Sequence, residues 1–277
     1  ELTLGLLYTL SQKEITVDQE CPIFWSQQAC NAYWGDISWA ILEVNGVSAI
    51  TSSVGYTLSY NMLDNNKDPT NGYLLELKQD FAGLGGDVNF IRSTFDARWY
   101  MPVVGDFVLM LRGQAGNVSS WGGEDLRILD NFFKGPDLVR GFAPNGIGPR
   151  DLASGNPLFG EDPDALGGTL YWGTTAELQF PLSFLPKDFG LKAAVFADAG
   201  SLWDYQGNTI FPNIAGWDDN LVNCSLIPGS STKGMNNVCV ADSDLIRSSV
   251  GVSLIWSSPF GPLRFDYAWA LTKEYYD

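Results

Sequence analysis

Leu263-Arg264-Phe265-Asp266-Tyr267-Ala268-Trp269-Ala270-Leu271 alternates strictly. Leu263, Phe265, Tyr267, Trp269 and Leu271 fall on one side of an extended chain, and Arg264, Asp266, Ala268 and Ala270 on the other, because successive side chains of a strand point to opposite faces. One face is wholly apolar and aromatic, and the other carries charge. A soluble sandwich turns the apolar face inward. A membrane barrel turns it outward to lipid and keeps the polar face in its lumen. Alternation alone does not separate the two.

Working outward, the same period recurs in 1–15, 54–62, 73–81, 91–101, 107–115, 168–181, 190–204 and 246–258. With 262–272 this predicts nine strands, most of about ten residues or more, the length a tilted membrane strand needs. Soluble strands more often run about five or six. Composition agrees: 17% charged, 13% aromatic and 30 Gly fit an apolar outer face with aromatic girdles. There is no apolar run of about 18 residues, so no transmembrane helix is expected. The connections 63–72, 102–106, 182–189 and 259–261 are short, whereas 17–46, 122–167 and 205–245 are long and 83–87 is a short, Gly-rich exception. Short turns at one end and long loops at the other form the outer-membrane pattern.

The expected fold class is therefore all-β, part of an antiparallel transmembrane β-barrel over 1–277. Nine strands is an odd count, and an open edge cannot face lipid, so the barrel is expected to be incomplete. The chain opens inside a strand pattern at Glu1-Leu2-Thr3-Leu4, with no initiator Met or signal peptide, and is expected to be a piece of a longer precursor.

The net charge of −16, from 32 acidic and 16 basic residues, disfavours nucleic acid as a partner. The chain has no histidine, which removes Ser-His and Cys-His pairs and histidine metal sites, and no cofactor is expected. The four cysteines lack zinc-type spacing and lie in turn-rich connections. Of their three connectivities the local one, Cys21 with Cys30 and Cys224 with Cys239, is favoured because its loops are short and separate.

The longest connection contains Val139-Arg140-Gly141-Phe142. A long ordered loop in a compact protein is usually functional, and a buried Arg needs an acidic partner. Strand parity puts Glu177 and Asp198 on the polar face, as it does Glu76, Lys78, Asp80, Arg92, Asp96, Arg98, Arg112, Arg264 and Asp266, which are expected to form a cross-strand ladder. Two carboxylates around an Arg read as an ion-pair network rather than a catalytic acid and base, so no enzyme is expected. A porin whose loop narrows the pore without such a latch is the competing class.

Four segments in order resemble the BamA family of outer-membrane β-barrel insertases, most nearly its alphaproteobacterial members. They are 139–150 (a sixth outer loop), 63–72 (a periplasmic turn), 196–203 (a late strand) and 257–265 (the last periplasmic turn). Together they span from about residue 50 to the end. The resemblance implies a barrel fragment, running from about the seventh to the fifteenth strand, of a machine that folds and inserts other barrel proteins in the bacterial outer membrane. Its implied partners are unfolded outer-membrane proteins, accessory assembly lipoproteins, and outer-membrane lipid and lipopolysaccharide. It also implies that loop 122–167 folds into the lumen and that Arg140 docks on acidic residues of the inner wall. A TamA-like or two-partner-secretion translocator would share this loop.

Overall fold

The computed structural model describes residues 1–16, 37–123, 125–154, 162–182, 190–211, 221–258, 261–274 and 277. Nine long strands form one sheet in chain order: β1 (Leu2–Lys13), β2 (Ala49–Asn61), β3 (Gly72–Ala82), β4 (Phe90–Pro102), β5 (Val108–Ser120), β6 (Leu170–Pro181), β7 (Leu191–Trp203), β8 (Arg247–Ser258) and β9 (Gly261–Thr272). Every neighbouring pair is antiparallel. Each strand has 11 to 13 residues. At about 3.3 Å per residue and a tilt of about 45°, that length crosses a hydrocarbon layer of roughly 25–30 Å. The sheet is not closed, and β1 and β9 are its edges.

Burial resolves the ambiguity that alternation leaves. The apolar face is the uncovered one: Leu6 is 78% exposed, Phe265 61%, Tyr267 62% and Leu271 61%. The charged face is the covered one, with Glu177 and Asp198 buried. A soluble sandwich cannot expose such a face, so this is part of a transmembrane barrel. One row departs from the alternation. On the uncovered face Tyr56 donates to Gln79 Oε1 at 2.9 Å, and Gln79 Nε2 donates to Ser93 Oγ at 2.8 Å, so these polar groups satisfy one another.

The sheet curls. Lys192 Nζ of β7 lies 2.5 Å from Asp68 Oδ1 in the turn before β3. In a flat sheet β3 and β7 would stand on the order of 19 Å apart. In that turn Asp64 accepts N–H bonds from Asn65 at 2.9 Å, Thr70 at 3.0 Å and Asn71 at 3.1 Å, and the Thr70 hydroxyl at 2.5 Å. These donors, with the Thr70 hydroxyl first, lower the Asp64 pKa to about 2. A carboxyl depressed in the fold stabilises it above its unfolded pKa, and that contribution is lost as pH falls through the folded value. Protection of the Thr70 and Asn71 amides is therefore expected to persist at about pH 4 and to fade toward pH 2. Asp64→Ala should remove it at every pH, which amide exchange measures. Unchanged exchange in the variant would contradict this account.

At the long-loop end the connections build a cap. The chain between β1 and β2, expected to be plain loop, holds a one-turn helix, Trp39–Glu43, capped by the Ser38 hydroxyl, which accepts from Ala40 N at 3.3 Å. Trp39, Leu42 and Val44 pack with Ile128 and Leu166 from the β5–β6 connection and with Phe211, Val238 and Val240 from the β7–β8 connection. Asp151 ties them together. Its Oδ2 accepts from Ser38 Oγ at 2.6 Å and its Oδ1 from Cys239 N at 2.9 Å. Cys239 is disulfide-bonded to Cys224. The expected Cys21–Cys30 pair lies outside the described residues.

Candidate functional site

The connection between β5 and β6 leaves the cap and descends onto the covered face. Its excursion closes where Ile147 N donates to Lys134 O at 3.1 Å. Asp137 shapes the turn at its head, accepting from Lys134 Nζ at 2.8 Å and Gly135 N at 3.0 Å. Burial works against the Asp137 charge, but Lys134 and the Gly135 N–H outweigh it and hold the carboxyl below its ordinary value. Leu138 N and Val139 N then both donate to Gly135 O at 3.0 Å, presenting Leu138, Val139 and Arg140 to the strands.

Each residue of this segment meets a shaped surface. Leu138 is 2% exposed and sits over Gly173 of β6 and Gly200 of β7, which are paired with each other. A Cβ on Gly173 would fall 2.5 Å from Leu138 Cδ1, and one on Gly200 3.0 Å from Leu138 Cγ. Val139 and Phe142 are buried in the cluster that includes Ile147, Tyr171 and Leu202. Gly141 has φ +94° and lies against β9, where its Cβ would stand 3.0 Å from Ala268 Cβ. Both the left-handed backbone and the close approach require glycine.

Arg140 makes the central contact. Its Nε donates to Asp198 Oδ2 at 2.7 Å and its Nη2 to Asp198 Oδ1 at 2.8 Å, a two-point fork. Its backbone N donates to the same Oδ2 at 3.1 Å, and its Nη1 donates to Glu177 Oε2 at 2.8 Å. The guanidinium carbon lies over the Phe196 ring, 3.4 Å from the centroid. Burial disfavours the Arg140 charge, but the bonds to Asp198 and Glu177 outweigh it and raise the pKa above the usual arginine value.

Three residues given no place in the latch by sequence reading belong to this cluster. Arg264 of β9 reaches Glu177 with Nη2 at 2.5 Å to Oε2 and Nη1 at 3.1 Å to Oε1. Its Nε bonds Asp266 Oδ1 at 2.9 Å, and Asp266 Oδ1 stands 3.7 Å from Arg140 Nη1. Phe196 supplies the platform beneath Arg140. Arg264 and Asp266 were expected in a ladder of wall charges instead. Part of that ladder forms around Asp96, which accepts from Arg98 Nε at 2.9 Å and Arg112 Nε at 2.9 Å. Arg92 leaves it to donate to Asp130 O of the loop at 2.6 Å.

The Omp85 superfamily domain matches residues 2–277. The chain is 38% identical over 225 residues to outer membrane protein assembly factor BamA of Neorickettsia risticii, covering 81% of this chain and 25% of that protein. It is 30% identical over 217 residues to BamA of Neisseria meningitidis, covering 77% and 26%. It thus spans about a quarter of the length of these curated relatives. Among solved structures, BamA from Haemophilus ducreyi lacking POTRA domains 1–3 superposes with a TM-score of 0.67 at 21% identity, over 98% of this chain and 48% of that one. The nine-stranded sheet and these matches agree, and the chain belongs to the Omp85 superfamily as part of a BamA-type barrel.

Proposed function

We propose that this chain is the barrel part of an outer-membrane insertase that folds and inserts other β-barrel proteins. The docked arginine carries the reading. Val139, Arg140, Gly141 and Phe142, with Glu177 and Asp198, act as a latch that holds loop 122–167 inside the lumen. A latch of this kind fixes a long loop over the covered face without any bond being made or broken, so the work is mechanical rather than enzymatic. Its substrates would be unfolded outer-membrane proteins, and its partners accessory lipoproteins and the surrounding lipid and lipopolysaccharide. The bacterial BamA relatives are outer membrane protein assembly factors, and a place in the bacterial outer membrane fits the apolar uncovered face.

Two experiments test this. Full-length protein in proteoliposomes should speed insertion of an unfolded barrel protein and should lose most of that activity on Arg140→Ala. A steady large conductance with no effect on insertion would identify a passive porin instead. For topology, the short turns should face the periplasm and the cap the outside. A thiol placed at Asn65 should react only from the periplasmic side, and one at Leu226, which is 78% exposed, only from outside. Outside reactivity at Asn65 would invert the assignment.

A further inference from the structure

The surface that receives Arg140 is built almost without the loop. Glu177 comes from β6, Phe196 and Asp198 from β7, Gly251 and Ser253 from β8, and Arg264 and Asp266 from β9. The loop contributes Arg140 itself. We propose that this wall is a preformed receptor for a planar guanidinium, held in shape by Arg264, and that it accepts the group from whichever polypeptide presents it. The inference rests on the latch reading and adds a ligand class to it.

Glu177 shows why the receptor survives the loop's departure. Besides Arg140 it accepts from Arg264 through both terminal nitrogens and from Gln179 Nε2 at 2.9 Å. Arg264 is oriented in turn by Asp266 and by Ser253 Oγ, which lies 2.8 Å from its Nη2. The Phe196 ring is placed by its cross-strand partner Gly251, where a Cβ would come 2.4 Å from Phe196 Cζ. None of these contacts involves the loop. With Arg140 withdrawn, the wall keeps three carboxylates, Glu177, Asp198 and Asp266, against Arg264 and the neighbouring Arg112, still a net demand for positive charge. A cavity of about 280 Å³, bordered by Arg112, Arg140 and Arg264 as well as by Glu177, Asp198 and Asp266, leads to the spot.

The geometry selects guanidinium over ammonium. Two carboxylates take three N–H bonds from one plane while an aromatic ring supports its face. A fork meets all of these demands, whereas a point charge on a flexible stem meets only part of them. Arg264 and the incoming group are both donors and meet only through the Glu177 carboxylate they share, so Arg264 is a positioning residue that acts through Glu177.

The test uses full-length Arg140→Ala protein titrated with ethylguanidinium and, as control, propylammonium. Ethylguanidinium should restore part of the lost melting temperature and bind at least about tenfold tighter than propylammonium, the ratio expected when fork geometry and stacking are both lost. Amide exchange of 138–147 should stay fast, because the small cation does not tether the loop. Wild-type protein, its receptor filled, should show no such shift. A Val-Arg-Gly-Phe tetrapeptide should act like ethylguanidinium and its Lys counterpart should not, which shows that a second polypeptide can be the source. A second variant, Arg264→Lys in the Arg140→Ala background, should keep a cooperative melt and lose the guanidinium preference. If Arg140→Ala leaves loop exchange unchanged, the latch reading itself fails. If exchange rises but ethylguanidinium does no better than propylammonium, the receptor inference fails. Retained selectivity in Arg264→Lys would overturn the role of Arg264.

Discussion

Arg140→Ala is expected to weaken loop docking by about 3–5 kcal/mol, the usual cost of removing one partner of a buried ion pair. The damage should fall on one carboxylate rather than two. Among the described residues, three hydrogen bonds reach Asp198 and all come from residue 140, two of them from the guanidinium. Glu177 keeps Arg264 and Gln179. Asp198→Ala should therefore cost less than Arg140→Ala, since Arg140 retains Glu177. The double variant Arg140→Ala with Asp198→Ala should be better than the sum of the two, because no buried charge is then left without a partner. Exchange of the amides from 138 to 147, together with heat resistance of the folded barrel, reads all three. Equal losses for the two single variants, or full additivity, would mean that Asp198 is not the residue stranded.

The second large effect concerns Leu138. Truncation to Ala empties the socket over Gly173 and Gly200 and should cost about 2–5 kcal/mol of docking free energy, as buried Leu to Ala changes do. Gly173→Ala alone should also hurt, because its Cβ would enter the space of Leu138 Cδ1 at 2.5 Å. Combined, the two changes should partly cancel: the added methyl occupies room that the lost isobutyl group vacates. A coupling of about 0.5–3 kcal/mol, favouring the pair, is expected for residues in direct contact. The same exchange experiment measures it. Independent effects would show that Leu138 does not sit in this socket in the membrane.

The nine strands were legible because period two is written directly into the chain, and parity alone put Glu177 and Asp198 on the same face. What parity cannot supply is distance around a curled sheet. Arg264 and Asp266 sit three strands away from Glu177 along the sheet, and nothing local shows that Arg264 crosses to it. Gly251 and Phe196 are 55 residues apart in number, and their pairing emerges only from the β7–β8 register. The helix at Trp39–Glu43 is five residues long, too short for its apolar positions to declare a period. Its cap, Ser38, is visible in the sequence only as one of many serines. The row of Tyr56, Gln79 and Ser93 is not legible in the sequence, because polar residues on an outward parity break the alternating rule and their mutual hydrogen bonding needs three strands in register.

The carboxylate of Asp151 has a bearing on the order in which the molecule forms. It joins Ser38, 113 residues away in sequence, to Cys239, 88 residues away in the other direction. Closing chain segments of that length is entropically costly until the intervening strands have paired and brought their ends together. Contacts of such high sequence separation form slowly and late. The expected order is therefore that the strands zip along their short turns first and the cap closes over them afterwards. Where Asp151 holds the top of the β5–β6 connection in place, Arg140 is expected to reach its wall in that later stage, so docking of the arginine would report late assembly of this part of the barrel.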